Sequence, residues 1–166
     1  VVGEAINKRC DLIISHHPLI FRGLKQITGS TTQERCIEKA IRHNIAIYSS
    51  HTSMDVYLHG VSGKIADKLD IINYHILCPT TDDNVGLGVI GELKTPMKSD
   101  DFIHFVQNIF DCSLRYIKPC DENITTVAIC GGAGAEFITQ AIAQGADIYI
   151  TADMKYHEMQ AAYGQI

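Results

Sequence analysis

Residues 125–151, TTVAICGGAGAEFITQAIAQGADIYIT, decide the fold. Thr125–Ile129 is a short apolar, β-branched run and reads as a buried strand. Gly131-Gly132-Ala133-Gly134 then reads as a turn, Ala135–Ala143 as a helix closed by Gly145, and Asp147–Thr151 as a second strand. Two strands joined by a helical crossover form a βαβ unit, whose strands pair in parallel.

The first third of the chain repeats this theme. Asp11–Ser15 is apolar without alternation, the pattern of a strand buried on both faces. Gln33–His43 places Cys36, Ile37, Ala40 and Ile41 on one helical face, and Ile45–Ser49 is the next buried strand. Val61–Leu69 reads as another helix. Further on, Cys78–Asn84 (CPTTDDN) reads as a turn-rich linker and Gly86–Leu93 as a glycine-interrupted strand. Ser99 opens a helix that runs on through FIHFVQNIF, Leu114–Ile117 reads as a short strand, and Met154–Tyr163 as a last helix. The expected architecture is α/β, with two related halves whose parallel or mixed sheets are covered on both faces. The expected boundaries are 1–77 for the first half, 78–84 for the linker and 85–166 for the second half.

Composition narrows the class. Of 166 residues 46% are hydrophobic and 20% charged, enough apolar material for a packed core and too much for a disordered chain. No apolar run reaches the roughly 18 residues of a membrane span, and Val1–Cys10 has no cleavable apolar segment. Fourteen Lys and Arg against nineteen Asp and Glu disfavour counterion-driven nucleic-acid binding. Cys10, Cys36, Cys78, Cys112, Cys120 and Cys130 form no CxxC pair. They read as reduced thiols of a cytoplasmic protein, with Cys10, Cys36, Cys112 and Cys130 as small core residues.

The chemistry-bearing residues gather after the strands. In open parallel sheets, sites form at the carboxyl ends of the strands. Ser15-His16-His17-Pro18 follows the first strand, and Ser49-Ser50-His51 leads to Asp55 after the second. Neighbouring residues on extended backbone point opposite ways, so adjacent histidines suit two ions held about 3.5–4 Å apart better than one. The alternative is one packed and one solvated histidine. His51 and Asp55 add an imidazole and a carboxylate, donors suited to zinc, iron or manganese, or else a strand end and a capping residue. Cys130–Gly134 is either a tight strand-to-helix turn or an anion-binding one. Asp153 and His157 stand four residues apart, with Asp153 readable as an N-cap.

Three blocks, DLIISHHPLIFRGLK, IAIYSSHTSMDV followed by GVS, and CGGAGAEFITQAIAQGADIYITADMKYHEMQAA, resemble in order the NGG-interacting-factor-three-like family, also described as GTP cyclohydrolase I type 2 homologues. The resemblance implies two related α/β halves, a hexameric ring as homo-oligomer, and a dinuclear site of two divalent ions. It implies His16, His17 and Asp55 as metal ligands, with His17 and Asp55 sharing one ion. It further implies His51 as a catalytic acid/base or water-orienting group, and His157 as a near-site residue. The family pattern closes the site with a His-x-x-x-Glu element that this sequence does not contain, so the chain alone is expected to hold at most one weakly bound ion. The function so implied is metal-dependent hydrolysis of a small nucleotide-like or phosphorylated molecule. The alternative is a non-catalytic metal-binding regulatory or scaffold protein acting through protein partners.

Overall fold

The computed structural model describes residues 1–82 and 84–166. The chain divides into two compact units, Val1–Ser53 and Met54–Ile166.

The first unit contains α1 (Val2–Asn7), β1 (Leu12–Ser15), α2 (Thr32–Arg42) and β2 (Ala46–Ser49), and ends within α3 (His51–Asp55). The strands pair in parallel, Leu12 opposite Ala46 through Ser15 opposite Ser49, with α2 as the crossover. Ala5, Ala40 and Ile45 form its core, with Ile6, Ile13 and Ile47 packed against them. The opposite sheet face stays open: Leu12, Ile14 and Tyr48 are 51%, 71% and 55% exposed. The apolar runs therefore do not mean burial on both faces here. Among the described residues, the helices of this unit pack on one side of its two-stranded sheet.

The second unit adds α4 (Val61–Lys68), β3 (Ile71–Asp82), β4 (Val85–Lys98), α5 (Ser99–Phe110), β5 (Asn123–Ala133), α6 (Ile138–Ala143), β6 (Ile148–Ala152) and α7 (Tyr156–Ala162). Its sheet runs β3-β4-β5-β6, with the first two pairings antiparallel and the last parallel. Side chains alternate between two cores, as the strand period of two requires. Ile76, Val89, Val127 and Ile129 join Ala66, Leu69, Phe102 and Val106 in one. Leu77, Ile90 and Ala128 join Ala141 and Ala162 in the other. This sheet is covered on both faces.

The expected linker is corrected: residues 78–82 belong to β3, and Asp83 lies outside the described residues. Pro79 sits in that strand opposite Gly86, and β3 is at the sheet edge, where proline is tolerated. A Cβ on Gly86 would meet the Cys78 carbonyl oxygen at 2.1 Å, so glycine is required for the close pairing. The expected strand Leu114–Ile117 is irregular chain instead. With Phe102, Val106 and Ile150 it lines a cavity of about 130 Å³ that contains no histidine or carboxylate.

Candidate functional site

The site grows from the register of the β1–β2 ladder. Pairing continues past the strands: the Ser50 amide donates to Ser15 O and the His51 amide to His16 O, each at 3.0 Å. The two loops that leave the carboxyl ends are thereby zipped together. Between them the Ser15 and Ser49 hydroxyls meet at 3.0 Å, and Ser15 Oγ also donates to the His17 carbonyl at 2.9 Å. His51 itself has φ +23°, a left-handed conformation uncommon outside glycine, at the turn from β2 into α3.

This zipper gathers three imidazoles. The His16 and His17 rings lie 4.8 Å apart between centroids, and each lies 5.7 Å from the His51 ring. Two imidazoles bonded to one ion at about 2.0–2.1 Å put their centroids roughly 5–5.5 Å apart. The donors match a transition-metal ion in kind, while the three spacings fall on either side of that range. Among the described residues no three His, Cys, Asp or Glu side chains form a group that could hold a metal ion. Asp55 ends the helix that His51 begins, one turn away, and is half-buried.

The loop between β1 and α2, residues 16–31, is anchored by the first turn of α2. The Gln33 side-chain amide donates to Leu19 O at 2.5 Å, two residues from His17. Buried Glu34 accepts from the Thr28 amide and hydroxyl, both at 2.8 Å, and from Thr31 Oγ1 at 3.0 Å. The Thr28 amide, then its hydroxyl, hold the Glu34 carboxyl down at about 2. Thr31 Oγ1 in turn caps the Glu34 amide at 3.1 Å, and the Ser30 amide donates to the same carboxylate at 3.2 Å, so the loop closes on the helix start from both sides. The residue types gave no hint of Gln33; the Thr31-x-x-Glu34 spacing was the available signal for Glu34.

The other candidates sit in the second unit. Cys130–Gly134 is a packed turn. The Gly131 amide donates to Ser62 Oγ at 3.2 Å, the Gly134 amide to Thr151 Oγ1 at 3.0 Å, and Tyr149 Oη donates to Gly134 O at 2.7 Å. Amides engaged in this way are not available to an anion. Burial pushes the Cys130 thiol up to about 11 and raises Cys78 and Tyr149 as well, so neither thiol is a ready nucleophile. Cys10 and Cys112 are exposed, against their expected core roles; all six cysteines are free. Asp153 has φ +51° and does not cap α7, whose N-cap is Lys155 with Glu158 closing back onto the Lys155 amide. His157 is an exposed residue of α7.

Fold and site together define a mixed α/β protein with an imidazole cluster at the carboxyl ends of parallel strands. Residues 1–165 match the Duf34/NIF3 (NGG1p interacting factor 3) family model, and the chain belongs to this family. It is 38% identical over 164 residues to a protein of Streptococcus pneumoniae named GTP cyclohydrolase 1 type 2 homolog, covering 96% of this chain and 61% of that protein. It is 32% identical over 175 residues to the Schizosaccharomyces pombe Protein NIF3 homolog, covering 98% and 61%. The crystal structure of a Bacillus cereus protein related to NIF3 superposes with a TM-score of 0.86 at 25% identity, over 97% of this chain and 71% of that one. The chain thus spans about 60% of the length of these two curated relatives. Among the described residues no helix is long and apolar enough to cross a membrane.

Proposed function

We propose that this chain carries the metal-binding histidines of a metal-dependent hydrolase acting on a small nucleotide-like or phosphorylated molecule. The observation that carries the reading is the convergence of His16, His17 and His51 on adjacent parallel strand ends. The names of the bacterial relatives support the substrate class. As the family resemblance implies, His17 and Asp55 would hold one divalent ion (zinc, iron or manganese) and His16 would serve a second. Bound there, such an ion supplies Lewis acidity at the carbon or phosphorus centre under attack. The Ser15 and Ser49 hydroxyls and the backbone zipper keep the imidazoles oriented. His51 accepts a proton from the attacking water and returns it to the leaving group, the work for which imidazole is suited. A hexameric ring is the assembly we propose, to be read by light scattering.

The test is a hydrolysis screen of nucleotides and sugar phosphates with zinc, iron or manganese added, comparing the wild type with His51→Asn. Turnover that is lost in His51→Asn while zinc is still bound supports the reading. Zinc binding without turnover of any compound favours a second reading, a regulatory protein acting through partners. The open apolar face of Leu12, Ile14 and Tyr48 supports that alternative.

A further inference from the structure

The loop that carries His16 and His17 also presents an aromatic ring to the cluster. Phe21 is 72% exposed, yet its ring stands 5.9 Å from the His51 ring at an interplanar angle of 82°. A phenyl ring held in water beside polar imidazoles gains little from folding, because most of its surface stays wet. It does supply a flat apolar surface bordering the place where chemistry is proposed. Ile20 and Leu24, 48% and 36% exposed, are further exposed apolar residues of the same loop. Arg22 and Lys25 lie between and beside them, both exposed, and among the described residues neither is in a salt bridge. One loop therefore carries the ring that meets His51 and, close to it in sequence, two exposed cations.

We infer that Phe21 is a specificity-determining residue that stacks a planar heteroaromatic ring of a substrate bearing a negatively charged group. The inference rests on the hydrolase reading and deepens it by naming the part of the substrate that the chain recognises. A π-face accepts any flat base, whereas a purely sugar-phosphate ligand offers nothing to stack. Arg22 and Lys25 supply the charge that attracts the anionic substituent.

The experiment is calorimetric titration of the protein with guanosine monophosphate and with ribose 5-phosphate, in the wild type and in Phe21→Ala, Phe21→Leu and Phe21→Tyr. The wild type should prefer the nucleotide. Phe21→Ala and Phe21→Leu should each weaken nucleotide binding about ten- to a hundredfold and leave ribose 5-phosphate unchanged. Phe21→Tyr, which keeps the ring, should restore it, a recovery that mere filling of space would not give. Equal nucleotide affinity in the wild type and Phe21→Ala overturns the inference, as does a wild type that binds no nucleotide or does not distinguish the two ligands. A parallel zinc titration separates this from the underlying reading. Zinc bound normally with no effect of Phe21 sinks only the stacking role, whereas zinc unbound by the wild type sinks the metal site.

Discussion

Removing one hydroxyl should loosen the histidine cluster without touching any imidazole. Ser15→Ala deletes two hydrogen bonds, one to Ser49 Oγ at 3.0 Å and one to the His17 carbonyl at 2.9 Å. A net hydrogen bond contributes about 0.5–1.5 kcal/mol, and both partners here can regain water because the site is only partly buried. The low end applies, so the pair together should be worth about 1 kcal/mol. The second bond fixes the backbone of His17 itself. If that half is spent on aligning its imidazole, about 0.5 kcal/mol, zinc affinity falls by roughly two- to threefold. The assay is competition for zinc against a chromophoric chelator, run beside urea unfolding of the same samples. Ser15→Thr, which keeps the hydroxyl, should bind zinc like the wild type. An unchanged zinc affinity in Ser15→Ala alongside a lowered urea midpoint would show that the serine holds the sheet and not the site.

Two further outcomes follow from the loop clamp and the packed turn. Glu34 has a folded-state pKa of about 2 against an ordinary 4.5, so its contribution is present in full above pH 4.5 and is lost as pH falls towards 2. Urea midpoints of the wild type should therefore drop between pH 6 and pH 3 more than those of Glu34→Gln, and parallel curves would contradict the clamp. Gly134→Ala places a Cβ 2.6–2.7 Å from Cys130 Cβ, Thr151 Oγ1 and Tyr149 Oη, and overpacking of this kind costs about 1–3 kcal/mol. Its urea midpoint should fall accordingly, and a wild-type midpoint would show that the turn has slack.

The sequence made the βαβ units plain, because apolar runs flanked by amphipathic helices leave few alternatives. It also located His16, His17 and His51 at strand ends, which followed from strand order alone. Their closeness was not legible. It depends on register, with Ser15 opposite Ser49, and register is set by pairing partners that no local pattern specifies. The long edge strand β3 stayed hidden because Pro79 and the polar residues after it look like a turn. The open face of Leu12, Ile14 and Tyr48 was misread since an apolar run records what a strand can bury and not what covers it. The unit boundary at Ser53 falls within α3, where no glycine or proline marks it.

The central claim is that His16 and His17 are metal ligands beside His51. Its most direct test is zinc stoichiometry and affinity of this chain by elemental analysis after dialysis and by titration, repeated with His16→Ala, His17→Ala and His51→Ala. The account predicts at most one zinc per chain, bound weakly by the wild type and lost in His16→Ala and His17→Ala. Zinc binding that is indifferent to both substitutions, or a wild type that binds none in titration, would contradict it.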